Sequence, residues 1–311
     1  MELVRGLHNL RASHRGGIAT IGNFDGVHRG HQAVIAQVAE LARRDDLVST
    51  VITFEPTPSE FFAGAKAPPR LTRFAEKFGA LRRTEIRQLL CLRFDGDMAA
   101  MEPEAFVESV LIEGLAVRRV VVGDDFRYGR KRAGDYDSLA GSARKFGFAV
   151  QRMNTFELDG ERASSTMVRS ALAAGNLQRA RVLLGRPYEM CGRVIVGQQL
   201  GRELGYPTAN IALRRCKAAL RGIFAVRVRR SDNRTYAGVA SLGRRPTVDG
   251  DHDLLEVHLF DFNEIIYGEK IAVEFLSKLR DEARFAGLDE LVAQMRRDEQ
   301  HARHALARYP L

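Results

Sequence analysis

Ile18-Ala19-Thr20-Ile21-Gly22-Asn23-Phe24-Asp25-Gly26-Val27-His28-Arg29-Gly30-His31 decides the fold. A short apolar run ends in glycine, a polar loop with further glycines follows, and a helical pattern begins near residue 30. The same alternation continues outward. Apolar runs at 18–22, 47–54, 86–94, 119–123 and 147–153 are separated by helical stretches near 30–43, 72–84, 102–113 and 137–146. A βαβα series of this kind predicts a parallel, doubly wound sheet. Val120-Val121-Val122 reads as a strand with helices over both faces, because buried parallel strands are continuous apolar runs. A helical pair near 165–184 follows, and Gly185-Arg186-Pro187 stops it.

Beyond Pro187 the texture changes to β segments at 193–197, 223–230, 234–242, 254–260 and 270–275, with Ser231-Asp232-Asn233 as a hairpin turn. Strands without intervening helices predict an antiparallel barrel or sandwich, and a charge-rich helix at 288–305 closes the chain. A length of 311 residues suits two domains, each able to bury its own core. The boundary is expected near 186, giving domains 1–185 and 186–311.

At 45% apolar and 28% charged residues the composition is globular, and no apolar run approaches the roughly 20 residues of a membrane span. Residues 1–15 carry charge but no apolar segment, so no secretory signal is expected and the expected compartment is the cytoplasm. Three cysteines without a Cys-x-x-Cys pair read as reduced thiols. The net charge of +9 comes from arginines scattered along the chain, with no long basic tract or aromatic-interleaved RNA-binding motif. Phosphorylated small molecules are therefore the expected partners, rather than nucleic acid or a membrane.

Ligands of open parallel sheets bind outside the carboxyl ends of the strands. Every unusual string of the first half falls at such an end: 23–31, Glu55-Pro56-Thr57-Pro58, Asp124-Asp125-Phe126-Arg127-Tyr128-Gly129, and Ser164-Ser165-Thr166-Met167-Val168-Arg169. His28 and His31 share a face at a helix start, where free N–H groups and the dipole attract phosphate, and Gly30 would let a ligand approach the backbone. Ser164 and Thr166 offer hydroxyl donors at a second helix start, and Arg169 a guanidinium suited to phosphate oxygens. Two other readings stand beside this one: a zinc site from Asp25, His28 and His31, and a solvated helix start with no ligand. A P-loop is excluded, and Gly-x-Gly-x-x-Gly is absent after the first strand.

In the second half, Gly197, Gly201 and Gly205 make a loop able to bring backbone N–H groups onto a polyphosphate. Thr208 and Asn210, two apart on an extended segment, offer oxygen ligands to a hard cation such as Mg²⁺. Glu256 and His258 share a face of an alternating strand, as either a solvent-facing polar stripe or a carboxylate base with a structural histidine beside it. Arg280, Glu282 and Phe285 read by themselves as an exposed helix start and a core anchor.

The His-x-Gly-His string with Ser-Ser-Thr-x-x-Arg resembles the nucleotidylyltransferase superfamily. The longer match, 22–31 with Thr53-Phe54-Glu55-Pro56 and 122–129, looks like the adenylyltransferase half of bacterial bifunctional riboflavin kinase/FAD synthetases. Gly201-Arg202-Glu203-Leu204-Gly205-Tyr206-Pro207-Thr208-Ala209-Asn210, the string 238–247, Leu255-Glu256-Val257-His258-Leu259, Tyr267-Gly268 and 279–285 resemble the kinase half in order. The resemblance implies a nucleotidylyltransferase domain followed by a kinase barrel, with ATP, riboflavin and FMN as substrates and Mg²⁺ as cofactor. It implies that Gly22, Asn23, Phe24, Asp25, Gly26, Ser164, Ser165 and Thr166 bind ATP, with His28, His31 and Arg169 catalytic. It also implies that Glu256 is the kinase base and that Asp125, Phe126, Arg280, Glu282 and Phe285 lie near flavin. Tyr128 and Tyr206 stand where the family has phenylalanine, and Arg244 replaces a smaller residue.

Overall fold

The computed structural model describes residues 1–154, 156–158, 160–197, 201, 205–215, 217–247 and 250–309. Its strands are β1 (Glu2–Arg5), β2 (Ile18–Ile21), β3 (Ser49–Glu55), β4 (Gln88–Arg93), β5 (Arg119–Gly123), β6 (Ala149–Met153), β7 (Glu157–Leu158) and β8 (Glu161–Arg162) in the first half. The second half carries β9 (Tyr188–Ile195), β10 (Ala209–Ala212), β11 (Gly222–Arg229), β12 (Thr235–Thr247), β13 (Gly250–Leu259) and β14 (Lys270–Arg280). The helices are α1 (Arg29–Arg44), α2 (Pro58–Ala63), α3 (Phe74–Leu81), α4 (Gly96–Ala100), α5 (Pro103–Phe106), α6 (Tyr136–Phe146), α7 (Ser165–Ala173), α8 (Leu177–Leu184) and α9 (Leu288–Leu306).

The chain divides into two compact units, residues 1–68 with 77–163, and residues 69–76 with 164–311. In the first unit a six-stranded parallel sheet runs β1-β4-β3-β2-β5-β6. Chain order reverses direction at β2, and the β2–β5 ladder is registered at Ile18↔Arg119 and Ala19↔Val120, leaving the carboxyl ends unpaired. That unpaired edge is the topological switch point where such sheets open a crevice. Val120, Val121 and Val122 are buried as their apolar run demands, and Ile35, Val38 and Leu41 of α1 are buried with them. The helical stretch at 102–113 starts as α5, but residues Val107–Gly114 continue as a π-helix.

In the second unit, β10-β13-β12-β11-β14-β9 close an antiparallel barrel. Phe224, Val226, Leu255, Val257, Val273 and Phe275 are buried among its strands. α9 lies along the outside of the barrel, against β11, β12 and β14. Ala302 packs there on Ala225 and Phe260. The turn at 231–233 is present, with Arg230 N donating to the Arg234 carbonyl at 2.9 Å and Asn233 at φ 67°.

This unit also takes in residues 164–185, because α8 packs on β9 and β14. It takes in residues 69–76 through buried polar contacts. Tyr188 Oη donates to the Leu71 carbonyl at 3.0 Å, and Arg215 Nη2 donates to both Glu76 carboxylate oxygens at 2.7 and 2.8 Å. Among the described residues, no helix is long and apolar enough to cross a membrane.

Candidate active sites

In the first unit, the loop leaving β2 turns tightly through Phe24 (φ 47°), Gly26 (φ 83°) and Val27 (φ 44°). Positive φ costs an aromatic or β-branched residue about 1–3 kcal/mol, and such outliers persist where the surroundings over-determine them. Phe24 and Val27 are 3% and 1% exposed, so burial holds the turn in place. A Cβ on Gly22 would stand 3.2 Å from the Phe24 ring, closer than ordinary contact, so the ring would have to shift by a few tenths of an ångström. Thr53 Oγ1 donates to the Asn23 carbonyl at 3.3 Å, tying the loop to β3. Asp25 is buried within it.

His28 is the N-cap of α1, and its Nδ1 accepts the backbone N–H of His31 at 3.4 Å. That acceptor role places the proton of a neutral His28 on Nε2. The His28 and His31 rings stack with centroids 3.6 Å apart, and the Phe24 ring meets His31 edge-on at 5.1 Å. Burial first, then His28, then the Lys77 ammonium hold the His31 imidazole well below its ordinary pKa. His31 is thus held as a neutral imidazole, beside the N-cap His28, at a helix start. Gly30, expected to expose backbone to a ligand, is also closely approached by the protein itself. A Cβ there would lie 3.0 Å from the Ala163 carbonyl and 3.2 Å from the His28 ring.

Phe126 follows β5 and stacks on Tyr128 at 5.3 Å, while the exposed Asp125 pairs with Arg162 at 2.5 Å. Sequence reasoning missed two features of this unit. Lys77 is fully buried, yet a lysine in an amphipathic helix reads as solvated. Phe61 and Phe62, 40% and 68% exposed, form edge-to-face contacts with Phe94, which in turn contacts Phe54 at the end of β3. A Phe-Phe pair next to a strand end was the available signal. Among the described residues, no three His, Cys, Asp or Glu side chains are grouped to hold a metal.

Ser164, Ser165, Thr166 and Arg169 open α7, which is counted with the second unit. Ser164 is its N-cap, with Oγ accepting from Met167 N at 3.3 Å, so its hydroxyl proton stays available to donate. Arg169 Nε donates to the Pro69 carbonyl at 2.7 Å, which orients its guanidinium.

The main site of the second unit is a cavity of about 350 Å³ between the barrel wall and α9. Glu256 stands opposite Asn210 on one side and Ser241 on the other, and directly opposed residues of antiparallel strands share a face. Glu256, Ser241, His258 and Thr208 line the cavity together with Arg280, Glu282 and Phe285. The stripe of alternating polar residues on β13 is therefore a cavity wall. His258, expected to be structural, lies in that wall, with Nδ1 2.9 Å from the Pro207 carbonyl.

Arg280 is locked by Asp298, with Nε–Oδ1 at 3.0 Å and Nη2–Oδ2 at 2.8 Å, and its guanidinium sits 5.6 Å from the centre of the Phe285 ring. Glu282 approaches Gly243 so closely that a Cβ there would lie 1.8 Å from its carboxylate oxygen. Asn210 is 6% exposed, and its amide rests against Gly197, where a Cβ would lie 2.2 Å from Nδ2. Gly201 has no room for a side chain beside the Tyr206 carbonyl, and Gly205 adopts φ 81°. Residues 198–200 and 202–204 of this glycine loop lie outside the described residues. A second cavity of about 270 Å³, lined by Val194, Phe262, Ile266 and Tyr267, shares Thr208 with the first.

A parallel sheet with a histidine pair at its switch point, joined in one chain to a barrel with an acidic, hydroxyl-bearing cavity, defines a two-part transferase. The comparisons give the family. Residues 10–167 match the family model for FAD synthetase, and residues 184–306 match that for riboflavin kinase. The chain is 47% identical over 304 residues to the bifunctional riboflavin kinase/FMN adenylyltransferase of Pseudomonas fluorescens, covering 97% of each. It is 46% identical to that of Escherichia coli K12 over 304 residues and 97% of each chain, and 43% identical to that of Haemophilus influenzae, with 97% and 98% covered. The chain belongs to the bifunctional riboflavin kinase/FMN adenylyltransferase family. It also superposes with a TM-score of 0.84, at 29% identity and over 97% of this chain and 99% of the other, on the crystal structure described as a macrolide-efflux protein from Streptococcus pneumoniae.

Proposed function

We propose that the barrel unit transfers the γ-phosphoryl group of ATP to riboflavin, giving FMN and ADP. The parallel-sheet half then joins FMN to the AMP part of a second ATP, giving FAD and pyrophosphate. The observation that carries the reading is the wall of the larger cavity: Glu256 in register with Asn210 and Ser241, across from Arg280 and Phe285.

Glu256 takes the proton of the terminal ribityl hydroxyl as oxygen attacks phosphorus, and a positioned base of this kind contributes about 10²–10⁴ in rate. The flavin ring occupies the Phe285 end of the cavity, where Arg280, fixed by Asp298, and Glu282 orient it. ATP occupies the neighbouring cavity, so that its phosphates meet the hydroxyl at Thr208, the residue common to both. Gly197, Gly201 and Gly205 bring backbone close to the phosphates.

Thr208 and Asn210 are neutral oxygen donors. That donor set fits Mg²⁺, which leaves charge compensation to the phosphates and keeps much of its water. When bound, the ion would offset phosphate charge.

For adenylyl transfer the nucleophile is the FMN phosphate, already anionic near neutral pH, so no base is required. His28 and His31 donate N–H groups to charge developing at the α-phosphorus and the leaving pyrophosphate. Gly22, Asn23, Phe24, Asp25 and Gly26 supply the backbone around the triphosphate. By resemblance, the donors of Ser164, Ser165, Thr166 and Arg169 serve phosphate as well. Asp125 and Phe126 serve the flavin, and the exposed Phe61–Phe62 pair offers its ring a stacking surface.

The functional division falls at 185/186, supported by a kinase family match that begins at residue 184. A cytoplasmic location accords with two ATP-consuming reactions. The test is a time course of purified protein with riboflavin, ATP and Mg²⁺, resolving the flavins by chromatography. FMN appearing first and FAD after it supports the reading, and no turnover of either flavin overturns it.

A further inference from the structure

Lys77 presents a cation that no motif announces. It is 0% exposed, and an ammonium is tolerated in such a place when it is paired and hydrogen-bonded. Its Nζ lies 3.4 Å from Glu55 Oε1 and donates to Thr53 Oγ1 at 3.2 Å. Both partners stand at the carboxyl end of β3, beside β2. Thr53, itself 0% exposed, donates its own hydroxyl hydrogen bond to the Asn23 carbonyl at 3.3 Å. A hydroxyl has a single proton, so accepting from Lys77 commits that proton to Asn23. The relay is directional, and it ends in the loop that precedes His28.

We propose that Lys77 is a positioning residue for adenylyl transfer, holding the Asn23 segment through Thr53 and supplying a fixed positive charge beside His31. The proposal rests on assigning FMN adenylylation to the His28/His31 site. The charged groups acting on His31 are His28, from the loop before α1, and Lys77, from α3, while Glu55 on β3 faces Lys77. Both act in one direction, against protonation of His31. His31 Nδ1 is buried and has no hydrogen-bond partner among the described residues, so no acceptor at that nitrogen favours the imidazolium. Lys77 thereby adds to burial and His28 in disfavouring the His31 imidazolium, while its own charge stays buried.

The test uses the full chain with Lys77→Met, Lys77→Arg and Thr53→Val, following FAD formation from supplied FMN across a pH series and the His31 imidazole by NMR. FMN formation from riboflavin in the same samples reports folded protein. Lys77→Met is expected to lower kcat for FAD formation by roughly tenfold or more, and to move the His31 titration upward while burial and His28 still hold it below its ordinary value. Lys77→Arg restores the titration. Thr53→Val lowers kcat while the titration stays, since the charge remains. FAD formation within about twofold of the parent in Lys77→Met, or its loss with an unmoved His31 titration, overturns the proposal. Should Lys77→Met fail to fold, an unchanged kcat in Thr53→Val overturns it instead. A His28→Ala, His31→Ala protein that still makes FAD would overturn the site assignment itself, a result distinct from either.

Discussion

Replacing Gly197 by alanine should disable the kinase while leaving the adenylyltransferase intact. Gly197 does not adopt a positive φ, so the effect is one of space rather than backbone strain. The added Cβ would stand 2.2 Å from Asn210 Nδ2, 2.4 Å from Cγ and 2.7 Å from Oδ1. Ordinary contacts lie near 3.5–4.0 Å, so the amide must move by about 1 Å or more. Asn210 is buried in β10 between Glu256 of β13 and Ile195 of β9, and its short side chain has little room to turn aside. A misplacement of about 1 Å costs a positioned reaction around 10²-fold, or about 2.7 kcal/mol of barrier. Overpacking would cost about 1–3 kcal/mol of stability as well. The assay is steady-state FMN formation at several Mg²⁺ concentrations, with FAD formation from supplied FMN as the control in the same preparation. A folded Gly197→Ala protein making FMN within about twofold of the parent rate would refute the argument that this glycine seats Asn210.

Asp298→Asn keeps the shape of the Arg280 partner but removes its charge. Riboflavin affinity, measured by flavin fluorescence, should fall about tenfold, in line with a weakened charge-assisted pair; an unchanged affinity would separate Arg280 from flavin binding. The depressed pKa of His31 makes a prediction about stability. The unfolded chain binds a proton near pH 6.5 that the folded chain refuses, so stability is full above that pH and declines as pH falls below it, by up to about 1.4 kcal/mol per pH unit. His31→Gln should flatten that decline in denaturant melts of the protein, and an equal slope in both proteins would contradict the stated burial of this imidazole.

What was legible in the sequence followed from burial. The run Val120-Val121-Val122 announced a central parallel strand because helices cover both of its faces. β1 gave no such signal: Glu2–Arg5 is an edge strand with a single buried residue, Val4. β12 was expected to end at 242 but runs to Thr247 through Arg244, whose polarity masks a backbone still paired to β13. The π-helical turn after Phe106 leaves no trace in apolar spacing over a few residues.

The site divides in the same way. His28, His31, Glu256 and Asn210 stood out because polar residues at strand ends or in alternation are chemically marked. Lys77 did not, and His258 was read as structural, since their contacts are remote in sequence, at Thr53 and the Pro207 carbonyl. The packing of Gly30 against Ala163 was not legible, because Ala163 lies far along the chain.

The most direct test of two separate sites in one chain is Glu256→Gln, assayed in parallel for FMN formation from riboflavin and FAD formation from supplied FMN. The account predicts that FMN formation falls by about 10²-fold or more while FAD formation holds near the parent rate. A folded Glu256→Gln protein that still makes FMN at the parent rate, or that loses both activities together, would contradict it.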